Sequence, residues 1–379
     1  MARETGAGQA AAGRQRRRGG PSVAAVAEFL EYLSPAGLSS PDEPCGLQIG
    51  DPSFTVRTAV VAALPTFTAI STAAARPHSL LITAAPLITS PLCRVRRDDP
   101  IGARIAHLIE RRVSLFVLPN SFAAAPGGFD DSLAECLGLA ATTVLRATAY
   151  EPLLKIAVYT PPEAVEAVLQ AAADAGAGHI GKYSHCSFQV AGTGTFLPHE
   201  GANPAIGKVG HLERTPEVRI EMITPQRELQ GVIAAILDVH PYEEVAYDVY
   251  ALRNPGTPYG RGRVGDLPLD VSLETILHQA QDALPGSSIR CSHRTDMPIS
   301  RLAAVSGSLD GLTAEAAAAG AGAVVTGQAT ATDWMLAENS ATVLIEVGYS
   351  ASVGPGLQRL CTQIRKTFGP EGVEVICCT

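Results

Sequence analysis

Short apolar runs alternate with amphipathic segments in residues 21–150, a pattern typical of strands joined by helices. The predicted elements, strand and helix in turn, are Arg57–Ala63, Thr66–Ala75, Ser79–Thr83, Ile101–Arg112 and Val113–Leu118. Strands and helices that alternate in this way form right-handed βαβ units around a mostly parallel sheet. We therefore predict a first α/β lobe over residues 21–150.

The same alternation returns in residues 263–379, which we predict to form a second α/β lobe. Its predicted elements are Leu302–Ser306, Leu312–Ala319, Ala323–Thr326, Asp333–Glu338 and Val343–Val347. The strand ends "LLITAAP" and "AVVTGQA" each carry a threonine at the tip, Thr83 in one and Thr326 in the other. This similarity predicts that the two segments form an internal repeat.

Residues 151–262 follow a different pattern, in which "VYTPPEAVEAVL" and "MITPQRELQGVI" each place Thr-Pro before an amphipathic helix. We predict that Thr160 caps the first helix in a capping box with Glu163, and that Thr224 caps the second. The flanking strands are predicted at Leu154–Tyr159, Ser184–Val190, Val218–Ile223 and Val245–Tyr250. A doubled βαβ of this kind is ferredoxin-like. We therefore predict an α/β protein of two lobes with a ferredoxin-like α+β domain inserted between them.

Composition narrows the classes of function. The chain has 379 residues, 46% of them hydrophobic, and a formal net charge of -8, which argues against a broad basic face for nucleic acid. No window of about 18 apolar residues predicts a membrane span. The eight cysteines include no C-x-x-C pair, so neither a zinc site nor a disulfide framework is predicted. We expect a cytoplasmic protein with reduced thiols.

Residues 1–20 are the exception to the acidic balance. Their arginines are Arg14, Arg16, Arg17 and Arg18. We interpret this segment as a disordered, solvated tail. Contact with nucleic acid or a membrane surface is the alternative.

Several acidic residues stand near predicted strand ends. Asp130, Asp131 and Glu135 follow the pair Gly127-Gly128, where they form either a metal or acid/base site or, as we prefer, an acidic helix N-terminus. Glu346 ends a predicted strand, and we expect it with Thr83, Asp130 and Thr326 around a pocket. Asp333 is expected to cap the helix that carries Trp334.

The densest polar set lies in the predicted insertion and consists of His185, Cys186, His240, Glu243 and Glu244. One interpretation is that these side chains bind a ligand or a metal ion. The other is structural: they fix the turn into the following strand or form a subunit contact. The alternation of apolar residues after Pro241 favours the structural interpretation.

Long motifs of this chain closely resemble the Nif-three-like family, whose members are often named GTP cyclohydrolase type 2 homologues. The motifs are "HIGKYSHCSFQVAGTGTFLPHEGANPAIGKVG" (179–210), "HPYEEVAYDVY" (240–250), "GLQIGDP" (46–52) and "APGGFDDSLAECLGL" (125–139). The resemblance implies two α/β lobes around a dinuclear metal site, an inserted domain similar to PII or CutA, and assembly into hexameric rings.

The resemblance also implies where metal ligands belong, and this chain has other residues there. The family's His-His pair falls on Ala84 and Ala85, its Asp on Ala123, and its His and Glu near the C-terminus on Tyr349 and Val353. A further family His falls on Pro119, and "TGQATATDW" (326–334) has no His where the family loop is His-rich. Divalent metals need imidazole, carboxylate or thiolate donors. We therefore expect a degenerate metal site and no metal cofactor.

Three hypotheses follow. We prefer a non-catalytic assembly or ligand-binding protein that forms a homo-oligomer and binds a small molecule. The first alternative is a metal-dependent hydrolase with unconventional ligands such as Glu346 and Asp130. The second is a PII-like sensor that binds a nucleotide or metabolite through its insert.

Overall fold

A computed structural model describes residues 20–34, 43–201 and 207–378. The predicted basic tail lies outside these residues except for Gly20. The chain divides into two compact units. The first combines the residues up to Thr148 with those from Tyr259 onward, and the second is Ala149–Pro258.

The described elements are numbered in chain order. The strands are β1 (Gly46–Ile49), β2 (Thr58–Ala62), β3 (Ser79–Thr83), β4 (Ser114–Val117), β5 (Ala140–Tyr150), β6 (Leu153–Thr160), β7 (Ser187–Phe196), β8 (Glu213–Pro225), β9 (Tyr247–Ala251), β10 (Pro258–Val271), β11 (Arg290–Cys291), β12 (Ile299–Ser308), β13 (Ala323–Gln328), β14 (Val343–Glu346) and β15 (Glu374–Cys378). The helices are α1 (Val23–Tyr32), α2 (Phe67–Ala74), α3 (Pro100–Glu110), α4 (Ser121–Ala124), α5 (Phe129–Cys136), α6 (Val165–Asp174), α7 (Leu229–Val239), α8 (Leu273–Ala283), α9 (Thr313–Ala318), α10 (Ala331–Glu338) and α11 (Tyr349–Phe368).

One sheet of the first unit has the described strand order β1-β4-β3-β2-β15. The pairs β2–β3, β3–β4 and β15–β2 are parallel, which confirms the predicted βαβ pattern, and β1 is antiparallel to β4. Strands β2, β3 and β4 are buried along their whole length, as is usual when helices cover both faces of a parallel sheet. Ala62, Thr83 and Val117 lie in register at the carboxyl edge of this sheet.

A second sheet has the described order β11-β14-β13-β12-β10-β5. Strands β12, β13 and β14 are parallel, so Val305, Thr326 and Glu346 lie in register near their carboxyl ends. The long helix α11 contributes Leu357 and Leu360 to the core of the first sheet and Ala351 to the core of the second. The cavity described below lies at the start of this helix.

The second unit has the element order β6-α6-β7-β8-α7-β9 and the sheet order β7-β8-β6-β9, with antiparallel neighbours. One face of the sheet packs against α6 and α7. This core contains Ile156, Val158, Val168, Ile220, Met222, Val232 and Ile236. Alternate strand residues supply it, as the period of two in a half-buried strand requires.

The predicted threonine caps of α6 and α7 are wrong. Thr160 and Thr224 are buried within the ends of β6 and β8. Each helix begins instead through a short 3₁₀ turn without a side-chain cap, at Pro162–Ala164 and at Gln226–Glu228. A strand that runs directly into the helix keeps the threonine in the sheet, so its hydroxyl never reaches the first free N–H groups.

The prediction that Asp333 caps α10 is confirmed in part: the N-cap residue is Thr330, and Asp333 is the third residue of the helix and completes a capping box with it. The Thr330 hydroxyl accepts a hydrogen bond from the Asp333 N–H, and the Asp333 carboxylate accepts one from the Thr330 N–H. In the part of the chain that the structure describes, no helix is both long and apolar enough to cross a membrane.

Candidate functional site

A cavity of about 380 Å³ lies in the first unit. Its apolar lining residues are Ala84, Pro119, Ala123, Ala124, Phe129 and Val353, and its polar side chains come from Asn120, Ser121, Thr148, Arg261, Ser306, Ser308, Asp310 and Tyr349. A volume of this size falls within the range of small-molecule sites. The cavity lies at the carboxyl ends of strands, where α/β proteins commonly bind their ligands.

Five of the six positions that the family resemblance assigned to metal ligands line this one cavity. Ala84 directly follows β3, Pro119 follows β4, Ala123 lies in α4, and Tyr349 and Val353 lie at the start of α11. Four parts of the first unit thus converge, although the residues are far apart in the sequence. Ala85 is not among the lining residues, and its N–H donates to the Ala63 carbonyl.

The other residues expected around a pocket lie outside the cavity lining. The Thr83 hydroxyl donates to the Ala85 carbonyl over 2.8 Å. Thr326 is fully buried, and its hydroxyl has no partner among the described residues. Glu346 accepts a hydrogen bond from the Ala329 N–H over 2.8 Å and lies 3.5 Å from Arg290. Strand tips in register therefore do not all face the same space.

Asp130 lies behind the cavity wall and is fully buried. Its Oδ1 accepts hydrogen bonds from the N–H and hydroxyl of Ser306 at 2.7 and 2.6 Å. Its Oδ2 accepts from the Gly262 N–H at 2.6 Å and from Arg261 Nε at 3.1 Å. With four donors the carboxylate is saturated, so it ties α5 to β10 and β12 and has no oxygen left for a metal ion.

Sequence reasoning missed the two arginines that partner the acidic helix start. Arg261 pairs with Asp130, and Arg263 pairs with Asp131, which also accepts from the Gly127 N–H at 2.6 Å. Both aspartates lie in the first turn of α5, as predicted. The available signal was the spacing Arg-x-Arg in the glycine-rich stretch "YGRGRVG".

The charge of Arg261 is neutralised from two sides. Its Nη1 donates to Asp310 over 2.8 Å, and its Nη2 donates to the carbonyl oxygens of Ser306 and Ser308. Burial alone would lower the pKa of Arg261, but Asp130 and Asp310 outweigh burial and raise it. The cavity therefore presents a guanidinium whose positive charge is already matched by two carboxylates.

Tyr349 supplies a neutral hydrogen-bonding group. Burial raises the pKa of its phenol, and nearby Arg261 only partly opposes this effect. The hydroxyl therefore stays protonated at neutral pH, and the structure shows no hydrogen bond to it from the described residues. It is placed to donate to a bound molecule, whereas metal ligation requires the phenolate.

A family model described as Duf34/NIF3 (NGG1p interacting factor 3) matches residues 21–379. The chain belongs to this family. A Mycobacterium leprae protein named GTP cyclohydrolase 1 type 2 homolog is 37% identical, with 94% of this chain and 93% of the relative covered. A Bacillus subtilis protein of the same name is 35% identical over 80% of this chain and 81% of its own length. The predicted resemblance is thereby confirmed.

A solved structure described as a Bacillus cereus protein related to NIF3 has the same fold. It is 32% identical, covers 95% of this chain and 97% of its own, and superposes with a TM-score of 0.82. The mixed α/β fold with several sheets is thus shared with this NIF3-related protein.

The cavity of this NIF3-family chain has few side chains of the kind that bind divalent metals. Among the described residues, no three or more His, Cys, Asp or Glu side chains are grouped as metal ligands. At the cavity itself, Ala84, Ala123 and Val353 present only alkyl groups, and Tyr349 presents a protonated phenol. The nearest carboxylates, Asp130 and Asp310, are both paired with Arg261.

In the second unit, His240 has a structural role. It is buried, its Nδ1 accepts from the Tyr242 N–H at 3.1 Å, and its Nε2 lies 3.1 Å from the Tyr159 carbonyl. These partners require the neutral ring with the proton on Nε2. Burial lowers the pKa of His240, which favours the same form. These contacts hold the histidine in the turn between α7 and β9, an arrangement that favours the structural interpretation.

The remaining members of the predicted polar set have neighbours other than those of His240. His185 and Cys186 precede β7. Both contact the neighbouring Ser184, and the Cys186 N–H donates a hydrogen bond to the Gly178 carbonyl. His240 contacts Tyr159 in β6, whereas His185 and Cys186 precede β7. Strand β8 lies between these two strands in the sheet. Glu243 and Glu244 are exposed in the turn after His240.

Proposed function

We propose that this NIF3-family protein binds a small uncharged organic molecule in the cavity and holds no dinuclear metal centre there. One observation carries the proposal: five of the six positions at which the family resemblance places metal ligands surround one cavity with alkyl groups and a phenol. They are Ala84, Pro119, Ala123, Tyr349 and Val353. Removing charged ligands while keeping the space leaves a concave, mostly apolar site with a few polar groups, the usual character of a small-molecule pocket.

The charge balance supports an uncharged ligand. Arg261 is the one cationic side chain among the lining residues, and both Asp130 and Asp310 already neutralise it. A nucleoside triphosphate would bring several negative charges without a cation to match them, and an unpaired buried charge is costly. We therefore expect no binding of GTP, although two relatives carry a name that refers to it.

The metal-hydrolase alternative is less well supported. Asp130 is saturated by four hydrogen bonds, and Glu346 is engaged by Ala329 and Arg290 outside the cavity lining. Ligating a metal through either carboxylate would require breaking these contacts. Because these contacts occupy both carboxylates, they favour a non-catalytic role over metal-dependent hydrolysis.

We infer that the second unit is a ferredoxin-like domain of the PII or CutA kind. Its element order β6-α6-β7-β8-α7-β9 and its sheet order support this inference. The sensor alternative places a ligand on this unit, but both ring nitrogens of His240 already have partners. Assembly into a homo-oligomer, with a hexameric ring as the expected form, and a cytoplasmic location stay predictions.

Metal content is the first test. The untagged protein is purified from medium supplied with zinc, iron and manganese and examined by elemental mass spectrometry. We expect less than about a tenth of an equivalent of metal per chain, because the carboxylates nearest the cavity, Asp130 and Asp310, are both paired with Arg261. About two equivalents, lost on Asp130→Asn or Glu346→Gln substitution, would overturn the proposal in favour of the hydrolase.

Ligand binding is the second part of the test. A library of uncharged fragments of up to about 15 non-hydrogen atoms is screened by ligand-observed NMR, with GTP as a charged comparison. We expect fragment hits that Ala84→Leu abolishes, because the added side chain fills the cavity. The matched variant Ala85→Leu, next to it but outside the lining, should leave binding unchanged. Hits that survive Ala84→Leu, or binding of GTP in their place, would contradict the proposal.

A further inference from the structure

Two cysteines from different elements meet on the side of the first sheet that α11 covers. Cys361 lies in α11 and is 1% exposed, and Cys377 lies in β15 and is half-buried. Cys361 Sγ donates a hydrogen bond to Cys377 Sγ over 2.8 Å, and both are free thiols. Pairs of this kind are uncommon by chance because the strand and the helix must present their cysteines at the same level.

The third cysteine of this region faces the other way. Residues that follow each other in a strand point to opposite faces, so Cys378 packs with the cluster around Ile70 and Leu81, while Cys377 packs with the cluster around Leu357. Cys377 and Cys378 therefore have the same chemistry and neighbouring backbone positions but different partners. Cys378 is the natural control for the pair.

The two thiols of the pair are not equivalent. The hydrogen bond from Cys361 lowers the pKa of Cys377, and the nearby Arg365 guanidinium lowers it further. Arg365 is held there by its hydrogen bond to the Val375 carbonyl at 3.1 Å. Donating that hydrogen bond, together with burial, raises the pKa of Cys361. Cys377 is thus the more acidic thiol of the pair and lies in the less buried residue, and Cys361 is the sheltered thiol beside it.

We propose that Cys361 and Cys377 form a thiol–disulfide exchange site for low-molecular-weight disulfides such as glutathione disulfide. The Cys377 thiolate attacks one sulfur of glutathione disulfide, forms a mixed disulfide and releases one glutathione thiolate. Cys361 then loses its proton to that thiolate or to solvent and attacks the Cys377 sulfur, which releases the second glutathione. In these steps the protein loses two electrons and the Cys361 proton, and glutathione disulfide is reduced to one glutathione thiol and one glutathione thiolate, which takes its proton from solvent.

The exchange site is independent of the cavity ligand and links the terminal strand to the helix that borders the cavity. Within the described residues, β15 pairs with β2 alone and forms the edge of its sheet. A disulfide between residues 361 and 377 would fix this edge strand to α11, whose first turn carries Tyr349 and Val353. Oxidation would therefore slow the local opening of β15.

The test uses the full chain in mixtures of oxidised and reduced glutathione. After acid quenching and alkylation, the protein is digested and the peptides are mapped by mass spectrometry. We expect a peptide linked between residues 361 and 377 that dithiothreitol releases. Hydrogen exchange of the β15 amides should slow by about tenfold in the oxidised protein. The exposed Cys93 should carry glutathione, which shows that the oxidant was active.

Three variants sharpen the result. Cys378→Ala should keep the cross-link, and Cys377→Ala should abolish it without placing glutathione on Cys361. Cys361→Ala should leave Cys377 as a lasting mixed disulfide with glutathione, because the second thiol is missing. The proposal is overturned if Cys361 and Cys377 remain open to alkylation while Cys93 is glutathionylated. A cross-link through Cys378, or unchanged exchange of β15 on oxidation, would overturn it as well.

Discussion

At the scale of the residue, the cavity wall depends on one carboxylate that water does not reach. Asp130 is fully buried and holds Arg261, Gly262 and Ser306 together through four hydrogen bonds. Desolvating a charge is costly, and only complete pairing makes such an arrangement stable. The same pairing that stabilises the fold removes Asp130 from the set of available metal ligands.

Replacing Asp130 with asparagine tests this view. The Asp130→Asn substitution keeps the size of the side chain but places an amide NH₂ where a carboxylate oxygen accepted hydrogen bonds. It also leaves Arg261 with Asp310 as its one carboxylate partner. We expect a loss of about 3 kcal/mol in the free energy of unfolding, the usual cost of breaking a buried ion pair from one side. Urea denaturation followed by fluorescence and circular dichroism measures it.

The control for this substitution lies on the same helix. Glu135 pairs with Arg359, and its side chain is 67% exposed. Because solvent screens such a pair, Glu135→Gln should change stability by less than about 1 kcal/mol. If the two variants lose equal free energy of unfolding, burial does not determine how much the hydrogen bonds of Asp130 stabilise the protein.

Sequence reasoning reached the small residues of the cavity but not its charged ones. Ala84, Ala123, Tyr349 and Val353 could be assigned because long motifs fixed their positions relative to a known family. Arg261 could not be assigned, since its partner Asp130 is 131 residues away in the chain and no local period records such a pairing. Pairing between distant side chains is decided by tertiary contacts, which no short motif contains.

At the scale of the element, apolar periods predicted strands and helices well, and caps less well. Ser79–Thr83 is predicted with its observed bounds, since the apolar run Leu80–Ile82 between Ser79 and Thr83 matches a short strand buried on both faces. The Thr-Pro motif before α6 was wrong as a cap, because the strand continues through Thr160. A strand end and a helix cap use the same residue types, and only the backbone path separates them.

Threonine-to-valine exchanges distinguish the two situations. Thr160 is buried, and its hydroxyl has no partner among the described residues, so Thr160→Val should stabilise the second unit by about 1 kcal/mol. Thr66 is a true cap whose hydroxyl accepts from the Ala69 N–H at 3.2 Å. Thr66→Val should destabilise the first unit by about 1 kcal/mol.

Native-state hydrogen exchange suits this comparison because it reports on the two units separately. The two substitutions remove the same hydroxyl and add the same methyl group, so opposite signs isolate the role of the hydroxyl. If both substitutions lower the stability, the Thr160 hydroxyl must form a stabilising hydrogen bond, and the prediction for Thr160 is wrong.

At the scale of the whole molecule, the predicted lobes share strands. Strand β5 comes from the first half of the chain but lies in the second sheet, and β15, the last strand, lies beside β2 in the first sheet. Alternation of helices and strands predicts which segments form a sheet locally. It carries no information on a terminal strand that crosses to the other sheet, because that choice depends on which edge is free.

The strands that precede and follow the second unit, β5 and β10, allow a test of which unit binds the ligand. Thr148 Oγ1 lies 3.4 Å from the Tyr259 carbonyl, and β5 and β10 are neighbours in their sheet. Contacts of Gly260 with Arg146 and of Gly265 with Ala140 show that the two strands run in opposite directions. A two-residue Asn-Gly turn can therefore replace Ala149–Pro258 and close β5 and β10 into a hairpin.

We expect the shortened chain to fold and to bind the same uncharged fragments as the full chain, because every residue that lines the cavity belongs to the first unit. Near-ultraviolet circular dichroism and ligand-observed NMR measure both properties. The PII-like sensor hypothesis predicts the reverse, with binding retained by the isolated 149–258 segment and lost from the shortened chain. If the shortened chain folds without binding while the segment binds, the ligand site belongs to the insertion and the cavity is a remnant of a lost metal centre.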